Sequence, residues 1–196
     1  MQYGGDWDGS TVHMDHIEFL RKTRRLPGAD QVRVRLAPAR EITPEQEEGE
    51  RVVFRSHFLR DIGLTASAFF CSFLDFYQLQ PHHLTPNKVV LLSAFVTLCE
   101  GFLGVLPTLE LWGEFVQSKL GTPMQGVPAQ SGAFIAMRRP AADNPFPVIT
   151  LIQSVKLWQT SYFYVKNVAP QGEYVNLPAY VAGPLAGRRP SGPIGP

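Results

Sequence analysis

Polar and apolar positions along this chain change period twice. Near the start, His16 to Arg25 (HIEFLRKTRR) places Ile17 and Leu20 at helical spacing ahead of a basic end, which the helix dipole favours at a C-terminus. Leu26-Pro27-Gly28 follows as a stop. Gln31 to Leu36 (QVRVRL) then alternates Val32, Val34 and Leu36 with Arg33 and Arg35, the period of two expected of a strand with one apolar and one basic face. Arg51 to Arg55 (RVVFR) has the same β-forming character and is expected to lie beside it. Between them, Ala37 to Glu50 holds two prolines and five glutamates and reads as a solvated loop.

From residue 65 the period lengthens. Ala66, Phe69, Phe70, Phe73, Phe76 and Tyr77 recur in steps that give a helix one wide apolar face. Thr65 is its expected N-cap, Leu64 its hydrophobic staple to Phe69, and Pro81 its end. Thr85 caps the next helix, with Pro86 at the first position and Leu84 stapled to Val89. Val89 to Leu103 is apolar on nearly all sides, which predicts a central helix that Gly101 weakens and Gly104 ends. Thr108 caps a third, with Leu109, Trp112, Phe115 and Val116 inward and Gly121 as its stop.

After Gly121 the period shortens again. Thr122 to Gln130 is a turn-rich connector. Ala133 to Met137, Val148 to Ile152 and Ser161 to Val165 read as short strands. Gly183 to Pro196 has eight glycines or prolines in fourteen residues and is expected to be a disordered tail. The pattern predicts an α+β fold: three packed helices near 65–79, 86–103 and 109–119, with short antiparallel strands before and after. The expected division is a flexible N-terminus (1–15), a basic and acidic adaptor (16–60), a core (61–182) and the tail (183–196).

Composition sharpens this picture without naming a function. Glycine and proline together supply 34 of 196 residues, but most of them sit where helices start and stop. Residues 1–60 hold ten basic and ten acidic side chains, residues 61–137 two and five, and residues 138–196 six and two. The charge-poor middle must be packed, so the core is expected there. A net charge of +1 excludes a uniformly basic nucleic-acid coat. Two cysteines, Cys71 and Cys99, exclude a disulfide-dense scaffold and a four-cysteine zinc site. The start lacks an apolar run, and Val89 to Cys99 is too short to cross a bilayer. The expectation is an intracellular protein of cytoplasm or nucleus, neither secreted nor membrane-bound.

Candidate chemistry is sparse. No phosphate-cradling glycine motif, aspartic-protease triplet or paired aspartate of a two-metal site is present. His13 and His16 are three apart and could share a helix face. His82 and His83 are adjacent and point apart unless the backbone is irregular. Cys71 sits in the phenylalanine-rich helix, where burial makes a thiol inert. No catalytic residue, cofactor site, metal site or small-molecule substrate is therefore assigned. What stands out is a basic cluster, Arg21, Lys22, Arg24 and Arg25, joined by Arg33 and Arg35. It could contact phosphates, or the glutamates of residues 41–50 could neutralise it.

Several strings carry a resemblance. SHFLRDIGLTASAFFCSFLDFYQLQPHHLTPN and LLSAFVTLCEGFLGVLPTLELW resemble the gypsy-type transposon domain of plant genomes, a family labelled transposase. HIEFLRKTRRLPGADQVRVRLAPAREI and EGERVVFRSHF upstream, and SVKLWQTSYFYVKNV and EYVNLPAYVAGP downstream, are similar to the same family. The resemblance implies descent from the N-terminal, Gag-like side of a long-terminal-repeat retrotransposon. It does not imply catalysis, because none of the element's enzymatic motifs occurs here. Two readings follow: a structural domain that self-associates, or a nucleic-acid-binding module using Arg21 to Arg35. An enzyme is the third.

Overall fold

The computed structural model describes residues 8–120, 131–140, 146–149 and 155–181. Among the described residues the chain is α+β. Helix α1 (Met14–Lys22) leads into strands β1 (Val32–Arg35) and β2 (Arg51–Phe54) and the short α2 (Arg55–Phe58). Helix α3 (Ala68–Phe76) follows, then a 3-10 turn (Pro81–His83), α4 (Pro86–Thr97) and a π-helical extension of it (Leu98–Leu103). Helix α5 (Leu109–Phe115) runs directly into β3 (Val116–Leu120), which precedes β4 (Phe134–Arg138) and, after a 3-10 turn at Trp158–Ser161, β5 (Tyr162–Asn167).

The two early strands do not pair with each other. The late strand β5 lies between them, antiparallel to both, with Val34 opposite Val165 and Val53 opposite Phe163. Because side chains alternate across a sheet, this register sorts residues onto two faces. Val32, Val53, Phe163 and Val165 enter the main core. Val52, Phe54, Tyr162 and Tyr164 form a second apolar cluster with Trp158. Residues 16–60 supply most of α1 and two of this sheet's three strands. β3 and β4 form a separate antiparallel pair, Val116 opposite Arg138.

The main core is aromatic. Phe73, fully buried on α3, packs edge-on against Trp112 of α5 at 5.4 Å and Phe134 of β4 at 5.2 Å, and Phe95 of α4 meets Trp112 at 5.3 Å. Edge-to-face rings at such separations add to the burial energy of each side chain. The three expected helices are present, with corrected ends. α3 starts later than Thr65: Ser67 is its N-cap, and the Ser67 hydroxyl accepts from the Phe70 N–H at 3.2 Å. Leu64 and Phe69 are both core residues, but with Ser67 as the N-cap Leu64 lies two positions too early to staple. The third helix stops at Phe115, not at Gly121. Val116 is extended (φ −128, ψ 126), and the alternation of buried Val116 with exposed Gln117 and Lys119 suits a strand held by β4.

Helix α1 begins at Met14, inside the stretch expected to be flexible, and ends at Lys22. There Arg25 and Leu26 both donate their N–H groups to the Leu20 carbonyl and reverse the chain. Of the strand expected at Val148 to Ile152, Val148 and Ile149 are irregular and the remainder lies outside the described residues, as do the connector at 122–130 and the tail at 183–196.

Candidate interaction surface

Helix α4 is not apolar on all sides in the way a central helix would be. Val89, Leu92, Phe95 and Cys99 face the core. The opposite stripe, Ser93, Ala94, Thr97 and Gly101, is made of small side chains and is half-buried or exposed. A groove of about 570 Å³ runs along it, walled by Leu59, Arg60 and Val90 at one end and by Leu98, Phe102 and Pro147 at the other. A smaller cavity of about 240 Å³ adjoins it and shares Asp61, Ser93 and Thr97. Ser93 fixes the groove wall by donating its hydroxyl to the Arg60 carbonyl at 3.3 Å.

The groove ends in an apolar knob. The chain leaves the π-helical extension through Gly104 in the left-handed region (φ 65), and the Val105 N–H closes back on the Cys99 carbonyl at 2.9 Å. Glycine is the residue that adopts this C-terminal conformation without strain. The turn projects Phe102 and Leu106, each 80% exposed. Val148, the neighbour of groove residue Pro147, is 82% exposed. Large apolar side chains clustered in this way mark contact surfaces more often than scattered ones do. Pro86–Leu103 is long and apolar enough to cross a membrane by length and composition, but its inward side belongs to the core.

Of the six basic residues singled out in the sequence, three are engaged within the fold and three are exposed. Arg21 donates to the carbonyls of Pro27 (3.3 Å) and Val32 (3.1 Å), tying α1 to β1. Arg25 pairs with Asp61 at 3.2 Å. Arg35 grips Glu50 with two hydrogen bonds, 2.8 and 2.6 Å, while its guanidinium lies 3.9 Å above the Tyr164 ring. The hydrogen bond to Glu50 raises the Arg35 pKa above its ordinary value. Burial pushes the Glu50 carboxyl up, but the Arg35 hydrogen bond and the Glu47 N–H overcome it and hold the group below its usual range. Lys22, Arg24 and Arg33 are exposed, Arg33 opposite Lys166 of β5.

The adjacent histidines are brought together, because Pro81–His83 is a 3-10 turn. The rings of His82 and His83 lie 3.9 Å apart, and both residues are buried. His83 Nδ1 accepts from the Gln80 N–H at 3.0 Å, and the Gln80 side chain accepts from the Val181 N–H at 2.8 Å. His82 packs on Tyr180 at 4.9 Å. Nearby, buried His57 stacks on Trp158 and its Nε2 bonds the Leu84 carbonyl at 3.0 Å. Desolvation lowers all three: His57 to about 3, His83 to about 4, and His82 well below its ordinary value. This makes the QPHHL string a clasp between distant segments. The flanking Pro81 and Leu84 were its sequence signal. At α1, His16 Nδ1 accepts from the His13 N–H at 3.2 Å, so this pair caps the helix. Among the described residues no group of three or more His, Cys, Asp or Glu side chains is arranged to hold a metal. Cys99 is fully buried and Cys71 half-buried, and burial raises both thiols.

A family model described as "Putative gypsy type transposon" matches residues 52–119. The match supports a transposon-related protein. It runs from β2 into β3 and takes in every wall of the groove except Pro147. No curated protein and no solved structure matches the chain.

Proposed function

We propose that the protein is a non-catalytic, structural module of a transposable element, of the Gag-like kind, which works by associating with copies of itself inside the cell. The observation that carries this reading is the apolar end of α4, where Phe102 and Leu106 stand 80% exposed beside a groove of small side chains. An isolated chain gains by burying such a surface against another macromolecule. The histidines and cysteines, the groups that could have done chemistry, are engaged in packing and hydrogen bonds. The polar Tyr164–Glu41 and Arg35–Glu50 contacts lock the residue 41–50 loop onto the sheet. Sedimentation equilibrium over a wide concentration range tests the reading. Reversible association is expected, and a strictly monomeric chain at high concentration would remove it. The nucleic-acid alternative rests on Lys22, Arg24 and Arg33, since their three neighbours are occupied within the fold.

A further inference from the structure

We infer that residues 174–181 form a strap that mild acid releases from an otherwise folded body, with the adjacent His82 and His83 rings as the trigger. Among the described residues the strap pairs with no strand and is held by side-chain amides and an arginine. Asn176 brackets Ala66, accepting from its N–H at 3.0 Å and donating to its carbonyl at 2.9 Å. Gln46 brackets Tyr180 in the same way, at 3.0 and 2.9 Å, and Arg51 Nε donates to the Leu177 carbonyl at 2.7 Å. The buried apolar side chains of the strap are Val175 and Leu177. A segment with so few buried contacts opens before the core does. Its far end rests on the histidine turn: Tyr180 packs on His82, and Gln80 holds the Val181 N–H. Because His83 Nδ1 accepts from the Gln80 N–H, the neutral ring carries its proton on Nε2. A second proton must enter at Nδ1, where it turns the acceptor into a donor facing a donor. That breaks the contact with Gln80 and loosens the residue that holds Val181. Among the described residues no carboxylate offsets the new charge: His83 and His57 of α2 oppose a charge on His82, and burial opposes one on His83. β2, which packs on the turn, brings Arg51, itself directed at the Leu177 and Glu50 carbonyls. Residues 131–132, bonded to the His82 carbonyl through the Gly132 N–H at 2.9 Å, bring no ionisable group, and the strap brings Tyr180. Opening hydrates both rings and restores their ordinary affinity for protons, so acid favours the open form.

Amide hydrogen exchange at pH 7.5 and pH 5, with the intrinsic rates divided out, tests this. Protection of the Tyr180 and Val181 amides should fall about thirtyfold or more, the factor for one imidazole that titrates near 4 when closed and 6.5 when open. At both pH values it should stay well below that of the Tyr164 and Val165 amides, which mark the folded body in β5. His83→Gln, and separately His82→Phe, which keeps a ring against Tyr180, should each remove part of the fall. Strap and β5 amides of equal protection would overturn the inference, since only global unfolding would then expose the histidines. Strap protection that ignores pH would overturn it directly, on the parent chain alone. A full thirtyfold fall surviving in both variants would do the same, by placing the trigger elsewhere.

Discussion

Arg35 and Glu50 form a two-point ion pair between β1 and the residue preceding β2, with the Glu50 side chain only 7% exposed. β1 and β2 are not neighbours in the sheet, so this pair ties its two outer strands across the Tyr164 ring. Replacing Glu50 by Gln leaves a half-buried guanidinium facing a neutral partner. A loss of about 2 kcal/mol is expected in urea unfolding, within the range for hydrogen bonds to charged groups. Glu48→Gln, at an exposed neighbouring position, should change little. Equal effects from the two substitutions would show that the ion pair contributes nothing.

How much of this was legible beforehand depended on range. The periods of α1, α3 and α4 are local and could be read directly, as could the cap at Thr108, whose hydroxyl accepts from the Leu111 N–H at 3.2 Å. The pairing of β1 with β5 is not local, since more than a hundred residues separate them, and local pattern could not show that β5 keeps β1 and β2 apart. β3 was hidden because Leu109, Trp112, Phe115 and Val116 continue a helical step, although Val116 is held extended by β4. Within the site, Gly104 and the apolar run to Leu103 were visible in the sequence. The groove was not, because Ser93, Ala94 and Thr97 looked like minor interruptions in an apolar helix. Arg35 was visible as a basic strand residue, but nothing local assigned it to Glu50.

Acid should unfold the protein through its buried imidazoles. His57 and His83 have folded-state values near 3 and 4, and His82 is also well below 6.5. The unfolded chain takes up protons on these groups near pH 6.5, whereas the folded chain holds them neutral. Stability is therefore full above about pH 6.5 and falls below it, by up to about 1.4 kcal/mol per pH unit for each histidine. The loss continues until pH reaches the folded values. Urea midpoints measured between pH 7.5 and 4.5 should fall steeply, and His83→Gln should make the dependence shallower. A flat profile over that interval would contradict the depressed values.

Gly104 sets the direction in which the apolar knob leaves α4. Its φ of 65 is unfavourable for other residues, and a Cβ added there meets nothing within 4 Å. Gly104→Ala should therefore cost only the backbone term, about 1–2 kcal/mol. Gly104→Asn should cost less, because asparagine tolerates the left-handed region better. If alanine and asparagine proved equally neutral in thermal melts, the left-handed turn would be absent in solution.

The basic segment makes a prediction in which salt separates two kinds of arginine. Lys22, Arg24 and Arg33 are exposed, while Arg21, Arg25 and Arg35 hold the fold together. Binding to duplex DNA is expected to be weak, with a log–log salt slope no steeper than about −3, because each neutralised phosphate contributes about −0.9. Alanine at Lys22, Arg24 and Arg33 together should flatten that slope without moving the melting temperature. Alanine at Arg21 or Arg35 should do the reverse, lowering the melting temperature through lost hydrogen bonds. A steep slope that survives the triple substitution would place the phosphate contacts on another surface. It would also return nucleic-acid binding to the front as the function of this chain.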